Sequence, residues 1–271
     1  MLGAAAQGQN GLTFDALWAS GFAHATQSGL PDAELALLER KLDSVADIAA
    51  ATALPIIVDG DTGGDALAFA QLCLRLEALG VSAVVIEDKE GAKRTSLAEG
   101  VTHEMADPHA FAAKIAVAQA TLLSGDMMIF ARIESLIAGL GDEDAILRAE
   151  IYLTSTADGL VIHSKDKSGA EILRFLRSYR GLQERLGIAK PLILIPTAYP
   201  QLTGAELAAQ GAAIIIHGNH MIRAAFQAMA NAAATILDHD RALEADQICA
   251  PVQALFDAVG VSLPAPGAAQ A

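Results

Sequence analysis

Basic residues are scarce in this chain. Among 271 residues, 18 are Lys or Arg and 32 are Asp or Glu, for a formal charge of -14. No run of Lys and Arg interrupts this balance, and phosphate backbones and anionic lipids are held by clustered cations. Nucleic-acid and membrane-surface binding are therefore excluded as expectations. Cysteine is scarcer still. Cys73 and Cys249 form no motif; they suit a reducing compartment and are expected to pack as small apolar side chains. Long apolar runs are missing too. The N-terminal "MLGAAAQGQNG" has neither a basic start nor an extended apolar segment, so it reads as no signal peptide. No stretch reaches the roughly 18 apolar residues of a membrane span. "AAFQAMANAAATIL" (Ala224 to Leu237) is uncharged but short, and carries Gln227 and Asn231. The expectation is a soluble, cytoplasmic protein.

With 53% hydrophobic residues the chain can bury one sizeable core. Seven short apolar runs recur: Phe14 to Gly21, Pro55 to Asp61, Ser82 to Asp88, Met127 to Glu134, Gly159 to Ser164, Leu192 to Thr197 and Ala213 to Gly218. Continuous runs of this kind predict strands covered on both faces, as in parallel sheets. Between them lie Ala- and Leu-rich segments at helical spacing, such as "AELALLERKLDSVADIAAAT" and "DALAFAQLCLRLEALG". The alternation predicts repeated βα units in one domain over residues 1–262, with "LPAPGAAQA" as a disordered tail over 263–271.

Nearly every run ends in a polar or ionisable group: Ser20-Gly21, Asp59 and Asp61, Glu87 and Asp88, Arg132 and Glu134, His163 and Ser164, Thr197, and Gly218-Asn219-His220. A (β/α)8 barrel gathers such ends on one face, where active sites form. A doubly wound sheet would carry a glycine-rich phosphate loop after its first strand; none occurs, and "DGDTGGD" is acidic. The pattern therefore favours the barrel, with one strand of eight missing. That strand would lie before Met1; either the barrel is open or another segment or subunit fills the gap.

Three acids at adjacent strand ends repel one another unless a cation neutralises them. Asp59 and Asp61 lie two apart, which on an extended strand turns both to one side; Glu87 comes from the next strand. Hard oxygen donors select magnesium or manganese. The same acids could instead cap helices or pair with Lys89 and Arg132. Arg132 suits bidentate binding of a carboxylate or phosphoryl group, or an ion pair with Glu134. His163 can donate hydrogen bonds or protons near neutrality, although a lone strand-end His is more often structural, and His217 and His220 are read that way. "VIEDKEGAKRTSL" (Val85 to Leu97) leaves a buried strand directly onto acids and cations. By itself it is a solvated turn or part of a site. Residue types alone thus yield a divalent-cation site facing an anion-binding Arg, and a small anionic oxo-acid ligand.

The segments "WASGF", "SGLPDAEL", "VDGDTGG", "IEDKEGAKRTSL", "ARIESLIAGLGDEDAILRAEIY", "ADGLVIHSK" and "IPTAYPQLT…IIIHGNHMIRAA" resemble, in order, the landmarks of the phosphoenolpyruvate mutase/isocitrate lyase superfamily, from about Phe14 to Ala225. The resemblance implies a modified (β/α)8 barrel, here without its first strand. It also implies a homo-oligomer, tetramer or dimer, with the last helix exchanged between subunits. Carbon–carbon lyases of this kind carry a cysteine in a "KKCGH"-type loop. The loop "KEGAKRTS" has none, which points to the phosphorus–carbon branch. Thr95, where mutases have Asn, together with "PTAYPQLT" and "GNHMIRAA", most resembles the phosphonopyruvate hydrolases. The implied reaction is magnesium-dependent hydrolysis of 3-phosphonopyruvate to pyruvate and phosphate, with manganese or cobalt as substitute metals. Mutase interconversion with phosphoenolpyruvate, lysis or decarboxylation of a plain 2-oxo acid, and a non-catalytic binding protein are the alternatives.

By the same resemblance, Asp61 holds the metal directly and Asp59 and Glu87 hold it through water. Trp18 walls the pocket, Ser20, Gly21 and Phe22 hold the pyruvyl part through side-chain and backbone hydrogen bonds, and Asp32 supports the site. Arg132 and His163 bind the anionic ends, and Lys93, Thr95 and Ser96 sit on a gating loop. The sequence departs from the pattern at Gly91 and Ala92, where an aromatic and a proline are usual, and at Gly64, which replaces an aromatic.

Overall fold

The computed structural model describes residues 6–33, 38–91, 96, 100 and 102–258. These fall into two compact units, Asp15–Asn219, and the residues up to Phe14 together with those from His220 onward. In the first, the order is β1 (Leu17–Ala19), α1 (Gly21–Gln27), α2 (Leu38–Ala51), β2 (Ile56–Asp59), α3 (Ala66–Ala78), β3 (Ala83–Glu87), α4 (Pro108–Gln119), β4 (Met128–Ile133), α5 (Ser135–Ala138), α6 (Gly141–Leu153), β5 (Gly159–Ile162), α7 (Ala170–Leu186), β6 (Leu192–Leu194), α8 (Gly204–Ala209) and β7 (Ile214–Ile215). Every predicted apolar run contains one of these strands. Local chemistry sets several boundaries. Asp65 caps α3 by accepting from the Ala68 amide at 2.8 Å, Asp107 does the same for α4 ahead of Pro108, and Thr203 and Glu206 form a capping box on α8.

All pairings are parallel, in the order β1-β2-β3-β4-β5-β6-β7. Laid flat, seven strands would separate β1 from β7 by roughly 30 Å, yet residues following both line one cavity. The sheet is therefore curled into a seven-stranded, barrel-like wall, as the sequence predicts.

Strand alternation divides the core in two. One apolar group lies inside the curl: Ile57, Ala83, Val85, Phe130, Val161, Ile193, Ile195 and Ile216. The other lies outside, where Val58, Val84, Ile86, Ile129, Ala131, Leu160 and Ile162 meet Phe69, Phe111, Tyr152, Phe175 and other helix residues. Each fully buried Val, Leu, Ile or Phe among them contributes about 1.5–3 kcal/mol. Phe130 fills the interior because Gly159 leaves it room; a Cβ there would come within 2.3 Å of the ring. Cys73 is buried in α3 as expected, and burial pushes its thiol up to about 12. Cys249 corrects that expectation: it follows the short α10 rather than a packed face, and is exposed.

The second unit holds α9 (His220–His239), α10 (Leu243–Asp246) and α11 (Val252–Ala258), and an isolated antiparallel bridge between Gln7 and Thr13. Among the described residues, no helix is long and apolar enough to cross a membrane.

Candidate active site

Four inward-facing positions, each two residues beyond an inner apolar side chain, build the site. Ile57 is followed by Asp59, Val85 by Glu87, Phe130 by Arg132 and Val161 by His163. Period-two alternation thus sets the ionisable groups directly above the apolar filling. They line a cavity of about 340 Å³ together with Trp18, Ser20, Phe22, Asp32, Ser96, Ile195, Thr197, Gly218 and Asn219. Of the predicted site residues, Gly21 and Asp61 do not line it; Lys93 and Thr95 lie outside the described residues.

The charges are buried and compensated. Glu87 meets Arg132 at 3.1 Å through Oε1 and Lys89 at 2.7 Å through Oε2. Glu134 meets Arg132 Nε at 2.6 Å and Lys89 at 3.3 Å. The ion-pair alternative weighed for Glu87 and Arg132 is therefore realised. Ser96 closes this network. Its Oγ donates to Glu134 Oε2 at 2.7 Å and accepts from Lys89 at 3.0 Å and from Arg132 Nη2 at 3.1 Å, which uses its full capacity. Burial disfavours the Arg132 charge, but Glu134, Glu87 and Asp59 outweigh it and hold the guanidinium ionised. Burial likewise works against the Glu134 charge, and Arg132, His163 and Lys89 outweigh it, keeping the carboxyl well below its usual range.

His163 is pushed down to about 4, first by burial and then by Arg132, against the pull of Glu134. Its ring is neutral near pH 7. Nε2 lies 2.8 Å from both Arg132 Nη2 and Glu134 Oε1. It can serve only one at a time: protonated there it donates to Glu134, bare it accepts from Arg132.

Behind this layer Asp88 faces the opposite side of β3. It accepts from the Glu134 amide at 2.9 Å, Tyr152 Oη at 2.8 Å and Arg148 Nη1 at 3.1 Å. Burial raises its carboxyl to about 6 even so. The Lys89–Met105 bridge and the Glu90 amide bonded to Glu104 O at 2.9 Å pin the base of the loop that carries Ser96.

The metal-type acids are arranged differently from the extended-strand expectation. β2 ends at Asp59, and Asp61 takes a left-handed backbone, φ 57°, in a turn continued by Gly63 and Gly64 at φ 75° and 66°. The two carboxylates therefore do not follow strand alternation. Asp59 accepts from the amides of Gly21 at 3.1 Å and Asp61 at 3.2 Å, which ties the Gly21 amide to a carboxylate. Asp61 Oδ2 meets Lys41 Nζ of α2 at 2.6 Å. Among the described residues no three His, Cys, Asp or Glu groups converge closely enough to chelate an ion alone. Hard carboxylates that leave positions to water suit magnesium, which keeps several waters, so the donor set fits that ion.

Sequence reading treated Lys89 and Glu134 only as ion-pair partners, and Thr197 and Asn219 only as polar strand ends. The strand-end pattern could have found all four, since it found their neighbours. Lys41 carried no signal, being one lysine of an amphipathic helix.

Comparison with known proteins bears on what such a site does. The chain is 38% identical over 249 residues to a phosphonopyruvate hydrolase of Variovorax sp. (strain Pal2), covering 91% of this chain and 83% of that protein. A crystal structure of a phosphonopyruvate hydrolase with oxalate and Mg²⁺ superposes with a TM-score of 0.82 at 37% identity, over 91% and 83% of the two chains. The phosphoenolpyruvate phosphomutase from Streptomyces platensis subsp. rosaceus superposes at 0.84 with 35% identity, over 91% and 84%. The family model for phosphoenolpyruvate phosphomutase matches residues 2–237. A curled parallel sheet with acids on β2 and β3, Arg132 on β4 and His163 directly after β5 thus joins a match over most of the chain: this protein belongs to the phosphoenolpyruvate phosphomutase family.

Proposed function

We propose that this protein hydrolyses the phosphorus–carbon bond of 3-phosphonopyruvate to give pyruvate and phosphate. The observation that carries this reading is the make-up of the cavity wall. Buried Arg132 and His163 stand beside Asp59 and Glu87, and no cysteine is among the described lining residues. A phosphoryl group leaving through a loose, metaphosphate-like state needs cationic positioning more than a covalent nucleophile. The similarity to a phosphonopyruvate hydrolase supports the choice of substrate.

In this reaction the carbon keeps the bonding pair as the enolate of pyruvate and later takes a proton, while a water oxygen joins phosphorus. Arg132 holds an anionic end of the substrate, and its charge needs no reorganisation at the moment of transfer because Glu87 and Glu134 already orient it. His163, neutral, stands at the same end, where its Nε2 can hydrogen-bond the substrate in place of Arg132 or Glu134. Trp18, Ser20 and Phe22 form the wall for the pyruvyl part, with Asp32 beside them. By the resemblance, Lys93 and Thr95, which lie outside the described residues, belong with Ser96 to a gating loop whose role is to admit or exclude water. Magnesium held by Asp61, with Asp59 and Glu87 reaching it through water, would supply electrostatic stabilisation of the developing negative charge. The active form is a homo-oligomer.

³¹P NMR of 3-phosphonopyruvate with the protein and Mg²⁺, against an EDTA control, tests the reading. A metal-dependent inorganic phosphate signal is the expected result. A phosphoenolpyruvate signal would reassign the protein as a mutase, and an unchanged spectrum would eliminate both.

A further inference from the structure

Lys41 is a cation beside this site that neither the resemblance nor the proposed reaction uses. It projects from α2, and its Nζ lies 2.6 Å from Asp61 Oδ2, with the lysine side chain 13% exposed. Asp61 is the carboxylate expected to hold the metal directly. An ammonium and a divalent cation on one carboxylate oxygen repel each other strongly in a partly desolvated setting. Magnesium binds its oxygen ligands closely and in near-octahedral array, so an ammonium on the same oxygen weakens its hold. The two cations therefore compete for Asp61.

The fold gives Lys41 somewhere to go. A second cavity, of about 120 Å³, is lined by Lys41 itself with Ser20, His24, Gln27 and Ser44 among others. His24 Nε2 is buried and has no hydrogen-bond partner among the described residues. A four-carbon stem can swing an ammonium from Asp61 to such acceptors without moving its backbone.

We propose that Lys41 is a resident counter-ion of the metal site: it neutralises Asp61 before metal arrives, then withdraws into the neighbouring cavity. The inference rests on the reading of Asp61 as a metal ligand. It makes metal binding an exchange of one cation for another, so metal affinity is lower than the carboxylates alone would give. Lys41 is a positioning residue in this account, since it touches neither substrate nor reacting atoms.

The test is Mn²⁺ binding followed by the electron paramagnetic resonance of the free ion, which does not depend on turnover. The unmodified protein, Lys41→Met and Asp61→Asn are compared, with Lys41→Gln in place of the methionine variant if that one fails to fold. Loss of the competing ammonium is expected to tighten Mn²⁺ binding about tenfold, and Asp61→Asn to weaken it. Equal or weaker binding by the Lys41 variant, with Asp61→Asn still weakened, would overturn the counter-ion role and leave the metal reading standing. Unchanged binding by Asp61→Asn would overturn both.

Discussion

Glu134 carries more of the site than its place at a strand end suggests. Fully buried, it accepts from Ser96, fixes Arg132 through Nε, and sits within ion-pair distance of Lys89 and His163. Removing its charge would leave Arg132 and Lys89 in excess over Glu87 inside the protein, and breaking a buried pair from one side is strongly destabilising. Glu134→Gln keeps the shape and removes the charge, so it should lower unfolding free energy by about 3 kcal/mol, measured by urea denaturation. A loss below half a kcal/mol would mean that water screens the network. At this scale the sequence was partly legible. The Arg132–Glu134 alternative was visible as i,i+2 neighbours on one strand. Ser96 as the hub joining Lys89, Arg132 and Glu134 was not, because three separate chain segments must fold together before its three hydrogen bonds exist.

At the scale of elements, the strands behave as their patterns predict and the turn after β2 does not. Two residues of separation aligns side chains only while the backbone stays extended, and Asp61 leaves the extended region at φ 57°. A left-handed aspartate costs free energy that surrounding structure must offset. Lys114 of α4 supplies part of that: its Nζ donates to Thr62 O at 2.7 Å and Gly64 O at 2.9 Å, directly beyond Asp61. Lys114→Met should therefore destabilise the protein by about 1–2 kcal/mol. It should also speed amide exchange at Gly63 and Gly64 relative to β2, read by hydrogen–deuterium exchange. Unchanged exchange there would show that the turn holds itself. Nothing in "AFAAKIAVAQ" marks Lys114 for this role; it emerges because α4 packs beside the turn that precedes α3.

For the molecule as a whole, the exposed stripe on α9 is the feature with a measurable consequence. Phe226, Met229, Ile236 and Leu237 recur on one side of that helix, and all are exposed. The homo-oligomer expected from the resemblance would bury such residues, since a contiguous apolar stripe in water is unfavourable. Light scattering should accordingly report a dimer or tetramer, and Phe226→Glu should shift the mass toward the single chain. A monomer at micromolar concentration would remove the oligomer from the proposal.

The sequence by itself determined the seven parallel strands, their order of use and the side of the sheet on which the ionisable residues gather. Each of those follows from local hydrophobic period and from what ends each run, properties a chain carries before it folds. It also carried the family, through motifs spread over most of its length. Tertiary structure alone decided which charges meet. Lys41 on Asp61, Lys114 on the turn carbonyls and Ser96 on Glu134 join segments separated by 20, 52 and 38 residues. Such pairs depend on the curl of the sheet and on helix packing. Neither can be read from residue spacing, because ion pairs and hydrogen bonds act over a few ångströms of space and are indifferent to distance along the chain.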